Sequence, residues 1–191
     1  MHDAHSEPGP CRLKQVVVSA EQIRQRVDEL ARQIAESYGD RELVVLAVMT
    51  GSLIFLADLI RRLPMTVRLC LISCKSYPGA ATSSQGIQSI ERLPDSLTGR
   101  DVLVVDDILD SGQTIKAVLN GLTELRPRSV KTCVLLKKSR EGSDGRVTAD
   151  FLGFEIGDEF VVGYGLDYDN FYRNLPEIRV ITIADSGLEG P

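Results

Sequence analysis

Four nearly continuous apolar runs, near residues 43–49, 66–73, 102–106 and 130–136, constrain this chain more than any other feature. A strand that reads as an unbroken apolar run is buried on both faces, whereas a strand with one wet face alternates. Helical periodicity near 52–62 and 113–125 supplies the cover. Strands and helices in alternation imply an α/β fold with a parallel core sheet flanked by helices. Upstream, Ser19 and Gln22 form a capping box. Ile23, Val27, Leu30 and Ile34 then recur at helical spacing until Gly39 ends the helix. After residue 150 come shorter strand-like pieces, "FLGFEI", "EFVVGYGL" and "EIRVITI".

With 191 residues, 43% of them hydrophobic and 26% charged, the chain fits one domain able to bury a core. Residues 1–15 are expected to be a disordered tail, since "MHDAHSEPGPCR" holds no apolar segment of signal-peptide length. Residues 16–191 then form the single domain. The stretch "LVVLAVMTGSLIFLADLI" approaches the roughly 18 apolar residues that could span a bilayer. Thr50-Gly51-Ser52 and Asp58 interrupt it, and Arg61, Arg62 and Pro64 close it, so it reads as a buried strand, a tight turn and a helix. A soluble cytoplasmic protein without membrane contact is the expectation. The net charge of −5 opposes a nucleic-acid surface, which needs clustered Lys and Arg. Cys11, Cys70, Cys74 and Cys133 form no CxxC pair and read as thiols of a reducing compartment. The small, polar segment at about 77–98 is too long for a simple connection and reads as a mobile lid.

The chemistry concentrates in "VVDDILDSGQT", residues 104–114, where a buried strand ends in acids and a glycine-containing turn leads into the next helix. Open α/β sheets bind ligands at the carboxyl ends of their strands. The turn offers converging backbone N–H groups and a helix N-terminus, with Ser111 and Thr114 adding hydroxyl donors, so it suits a phosphate. Asp106 and Asp107 accept hydrogen bonds and suit the hydroxyls of a sugar attached to that phosphate. A ribose 5-phosphate satisfies both halves. The alternative is an acidic strand end that only caps the helix through Asp110 or Ser111. An EF-hand calcium loop and a Walker A loop are excluded by spacing.

These residues resemble the phosphoribosyl-diphosphate signature of the type I phosphoribosyltransferases. "GSLIFLADLIRRL", "CKSY", "VLLKKS" and "FLGFEIGDEFVVGYGLDYDNFYRNLP" follow the order of motifs in the hypoxanthine (hypoxanthine-guanine) branch, so the resemblance spans roughly residues 16–183. It implies the type I phosphoribosyltransferase fold with a small hood built from the chain ends. It also implies transfer of ribose 5-phosphate from 5-phosphoribosyl 1-diphosphate to a 6-oxopurine, hypoxanthine or guanine, with magnesium. A guanine- or xanthine-preferring enzyme is the near alternative, and a phosphoribosyl-diphosphate-sensing RNA-binding regulator the distant one.

By the same resemblance Asp110, Ser111, Gly112, Gln113 and Thr114 cradle the 5-phosphate, and Asp106 and Asp107 face the ribose hydroxyls. Asp110 is also the implied general base near N7 of the purine. Arg173 is the implied pyrophosphate-binding arginine and Asp167 the magnesium-linked aspartate. Lys138 would donate to the purine 6-oxygen, Phe160 would stack on the ring, and the backbones of Val161 and Asp167 would meet its pyrimidine edge. Ser76 and Tyr77 are implied lid residues, and a homodimer or homotetramer is the implied assembly. The chain departs from the family at Met49-Thr50-Gly51, where relatives carry lysine in "LKG". Pyrophosphate binding by Thr50 and Gly51 is therefore expected to use the turn's backbone, with the Met49–Thr50 peptide able to be cis.

Overall fold

The structure is a computed structural model that describes residues 11–75, 89–90, 93–139 and 147–183. In chain order its elements are β1 (Cys11–Val18), α1 (Ala20–Tyr38), β2 (Leu43–Met49), α2 (Leu53–Ile60), β3 (Val67–Lys75) and β4 (Ser89–Ile90). They continue with β5 (Asp101–Leu109), α3 (Gln113–Leu125), β6 (Ser129–Lys138), β7 (Phe151–Ile156), β8 (Val161–Val162) and β9 (Ile178–Ile183). The main sheet runs β4-β3-β2-β5-β6-β7 and is parallel from β3 to β7, with β4 antiparallel at one edge. β1, β9 and β8, the first and last strands with the short one at 161–162, form a separate antiparallel sheet in the order β1-β9-β8, which is the expected hood.

Alternation along the central strands divides the interior in two. Leu43, Val45 and Ala47 of β2 join Leu103 and Val105 of β5 in a core shared with α1 and α2. Val44, Leu46 and Val48 join Val102 and Val104 in a core against α3. Both faces are dry, which is why these runs show no polar positions. On α1, Ser19 accepts from the Gln22 N–H while the Gln22 side chain accepts from the Ser19 N–H, as the capping box predicts, and Gly39 follows the last turn at φ 59°. At the sheet's far edge, Arg26 of α1 donates through Nε to the Gly153 carbonyl at 2.9 Å and through Nη2 to the Leu152 carbonyl at 2.7 Å.

The suspected membrane stretch is indeed β2, a turn and α2. Among the described residues no helix is long and apolar enough to cross a membrane. Two boundaries differ from the sequence reading. β1 begins at Cys11, so residues 11–15 belong to a strand rather than a tail; its side chains are mostly exposed, and it is held by pairing with β9, which leaves no apolar signature. Of the expected lid at 77–98, residues 77–88 and 91–92 lie outside the described residues, as do Ser76 and Tyr77. Leu93 and Leu97, at the segment's end, are buried in the α3 core, so that part is anchored.

At the amino end of β5 the buried Asp101 accepts from Arg128 Nε at 3.1 Å and Ser129 Oγ at 2.6 Å, with Arg41 at 3.2 Å. The Arg128 hydrogen bonds, helped by Ser129 and Arg41, outweigh burial and hold its carboxyl below the ordinary range. Stability from a depressed carboxyl is present above its unfolded value, about pH 4 for Asp, and is lost as pH falls through the folded value. Asp101→Asn should therefore lower the urea midpoint at pH 7, and the gap to wild type should close as pH falls below the carboxyl range.

Candidate active site

β2 and β5 pair in parallel from Leu43↔Asp101 to Ala47↔Val105, so their carboxyl ends emerge side by side. One cavity of about 310 Å³ opens there. It is lined by Asp106 and Asp107 from the end of β5, by Asp110, Ser111, Gly112 and Thr114 from the turn into α3, and by Thr50 and Gly51 from the turn after β2. Asp167 and Arg173, from the loop between β8 and β9, complete it. Ten residues named from sequence thus meet in one space. Gln113, also expected there, opens α3 and is not among the lining residues.

The turn is shaped by Gly112, whose φ of 75° favours glycine, and the Gln113 N–H points to Ser111 Oγ at 3.5 Å. Asp106 is buried, and that burial, reinforced by the neighbouring Asp107 charge, pushes its carboxyl well above the ordinary range. Asp107 is raised too, chiefly by burial, against the pull of hydrogen bonds from Asp106 and the Ile108 N–H and of the Arg173 charge. The Asp107 carboxylate lies so close to Gly51 that a Cβ added there would stand 1.7 Å from its Oδ2. The Met49–Thr50 peptide before that glycine is cis.

A second cavity of about 90 Å³ adjoins the first and shares Leu109, Asp110 and Gly112 with it. Lys137, Lys138, Val147 and Thr148 form the rest of its lining. Lys137 Nζ is occupied by Glu155 at 2.7 Å, whereas Lys138 has no ion-pair partner among the described residues. Asp110 stands at the junction of both cavities. Asp167 lines the larger cavity and not the smaller. Val161 is buried in β8, and Phe160 is half exposed with its ring edge-on to Tyr168 at 5.9 Å; neither lines the two cavities.

The loop carrying Asp167 and Arg173 is tightly determined. Gly163 and Gly165 have positive φ, as glycine readily does, but so do Tyr164, Asp169, Asn170 and Tyr172, and in residues with a Cβ that conformation persists only where surrounding contacts enforce it. Arg173 Nη1 donates to the Gly165 carbonyl at 2.6 Å, and the Gly165 N–H donates to the Arg173 carbonyl at 3.0 Å. Arg173 Nη2 meets Asp167 Oδ1 at 2.8 Å, while Asp167 Oδ2 accepts from the Asn170 N–H at 2.8 Å. Sequence reading missed Val147 and Thr148 as lining residues, and neither carries a local motif that could have announced it; Cys74, which opens the quoted "CKSY", also lines the larger cavity without having been assigned there. Gly165 has φ 102°, and a Cβ there would fall 2.2 Å from the Gly51 carbonyl oxygen. Gly165→Ala should therefore cost about 1–3 kcal/mol of stability, read from denaturant midpoints.

Comparison with known proteins agrees with this geometry. Residues 17–169 match the family model of the phosphoribosyl transferase domain. The hypoxanthine-guanine phosphoribosyltransferase of Mycobacterium avium is 40% identical over 179 residues, covering 90% of this chain and 87% of that one. That of Aquifex aeolicus is 42% identical over 168 residues, covering 87% and 93%. The crystal structure of a hypoxanthine-guanine phosphoribosyltransferase from Bacillus anthracis superposes with a TM-score of 0.78 at 38% identity, covering 91% of this chain and 99% of that one. On sequence and fold, the chain belongs to the phosphoribosyltransferase family, in its hypoxanthine-guanine branch.

Proposed function

We propose that the chain transfers ribose 5-phosphate from 5-phosphoribosyl 1-diphosphate to hypoxanthine and guanine, a purine-salvage reaction that yields the nucleoside monophosphate and pyrophosphate. The observation that carries this reading is the position of Asp110, shared by a polar cavity fit for a sugar phosphate and a smaller one reached by Lys138. The turn 110–114 receives the 5-phosphate through backbone N–H groups, the Ser111 and Thr114 hydroxyls and the N-terminus of α3. Asp106 and Asp107 accept from the ribose hydroxyls, and the carboxylate charge that this pair retains stabilises the oxocarbenium character that develops at the anomeric carbon. The purine N9 attacks that carbon, pyrophosphate leaves, and Asp110 takes up the proton from N7.

Lys138 has donors only, so it selects a purine with an acceptor at position 6 and disfavours the amino group of adenine. In this reading Phe160 stacks on the purine and the Val161 and Asp167 backbones meet its pyrimidine edge. Arg173 receives the pyrophosphate with the backbone of Thr50 and Gly51. Among the described residues no cluster of three or more His, Cys, Asp or Glu stands ready to hold a metal alone. Magnesium keeps its waters and is held by one or two carboxylates together with substrate oxygens, a demand that a single cavity-lining carboxylate can meet, and Asp167 is the protein ligand assigned to it. When bound, it neutralises the charge of the departing pyrophosphate. Four free cysteines agree with a cytoplasmic setting. Exposed Leu53, Leu69 and Leu71 on α2 and β3 support assembly as a homodimer or homotetramer.

Pyrophosphate release, measured with magnesium and each of hypoxanthine, guanine, xanthine, adenine and uracil, tests the reaction. Hypoxanthine and guanine should be used and adenine and uracil refused; a preference for uracil or adenine would overturn the reading. Asp110→Asn keeps the size and removes the base, so kcat should fall about 10²–10⁴-fold with much smaller changes in KM. Near wild-type turnover in that variant would remove Asp110 from its assigned role.

A further inference from the structure

Asp58 is half buried on α2, and none of the chemistry above uses it. Its Oδ2 accepts a hydrogen bond at 2.7 Å from the hydroxyl of Tyr164, 106 residues away in sequence. Tyr164 is buried, and it sits in the left-handed region at φ 50° between Gly163 at 103° and Gly165 at 102°. The Tyr164 N–H donates to the Leu175 carbonyl at 2.8 Å, so the residue is fixed at its backbone and at its ring tip. The other carboxylate oxygen of Asp58 contacts Arg61 and lies 3.8 Å from Arg62, and Arg62 Nη1 donates to the Asp58 carbonyl at 2.7 Å.

Both ends of this bond lead to the pyrophosphate side of the cavity. Asp58 lies on the helix that begins just after the Thr50-Gly51 turn. Tyr164 precedes Gly165, whose Cα approaches the Gly51 carbonyl closely and whose own carbonyl receives Arg173 Nη1 at 2.6 Å. Removing the Tyr164–Asp58 tie would leave Gly165 and Arg173 attached to the hood but free to drift from the turn they face. The smaller cavity, lined from β5, the turn into α3, β6 and residues 147–148, has no member in this chain of contacts beyond the shared frame.

We infer that Tyr164 and Asp58 are a positioning pair that clasps the 163–173 loop to α2 and so holds Arg173 and the Gly51 turn in register for the pyrophosphate half of the donor substrate. The pair touches no reacting atom; it acts through Gly165 and Arg173. Burial first, and the Asp58 carboxylate second, push the Tyr164 phenol above its ordinary value, so its O–H stays available to donate. The inference rests on the phosphoribosyl-transfer reading, and its test carries one readout that does not depend on activity.

Steady-state kinetics should show Tyr164→Phe raising KM for 5-phosphoribosyl 1-diphosphate about 5–20-fold, with kcat and KM for hypoxanthine within about twofold of wild type. Asp58→Ala should reproduce this split, Asp58→Asn, which keeps a carbonyl acceptor for the phenol, should lose less, and the double variant Tyr164→Phe with Asp58→Ala should be no worse than the worse single one. Tyr38→Phe removes another buried hydroxyl, one that donates to the Val102 carbonyl at 3.3 Å far from this loop, and should leave both KM values unchanged. Hydrogen exchange reads the clasp directly: the Gly165 amide, bonded to the Arg173 carbonyl, should exchange faster in Tyr164→Phe than in wild type. Unchanged exchange at Gly165, or equal rises in both KM values, would overturn the inference. A wild-type protein inactive with every purine would instead overturn the assigned reaction, and the exchange comparison would still decide whether the clasp exists.

Discussion

Everything functional in this molecule depends on the parallel pairing of β2 with β5. Their register brings Ala47 beside Val105, so the chain leaves the two strands at one level, and the turn after β2 meets the acids that end β5. Both strands are buried on both faces. A shift of one residue would exchange the α1 and α3 cores, a change that so much buried apolar surface resists. The hydrophobic effect thereby fixes the place of Asp107 against Gly51 more firmly than any polar contact could.

The sequence was most legible where burial is two-sided or where a cap has its own chemistry. The strand at 43–49 and the helix at 113–125 were readable to the residue, because polar or glycine-containing turns bound each of them. β1 was not readable over its first residues, since an edge strand held by backbone pairing needs no apolar side chains. Leu93 and Leu97 lay hidden in a polar segment, where two isolated apolar residues give no period. The site residues on β5 and its turn follow from local sequence. The Tyr164–Asp58 contact and the placement of Val147 and Thr148 do not, because each joins segments that only the tertiary fold brings together.

The larger cavity is lined by four aspartates, Asp106, Asp107, Asp110 and Asp167, and by a single cation among the described residues, Arg173. For a site that must receive a highly charged phosphate ester, this balance is lopsided. Helix α3 and the turn's N–H groups offset part of it at one end, as fixed dipoles that need no side-chain charge. At the other end the turn after β2 offers the uncharged Thr50, so among the described lining residues Arg173 is the protein's own positive charge, which gives the geometry of its loop unusual weight.

The contact of Arg26 with β7 bears on a different property. β7 ends the main sheet, and a terminal strand is a template on which another chain can add its own strand. The Arg26 guanidinium occupies the carbonyls of Leu152 and Gly153 and carries a charge along that border. A charge beside a sheet border discourages the addition of another strand, and the two bonds also fasten β7 to α1, so the border is held from the helix as well as from β6.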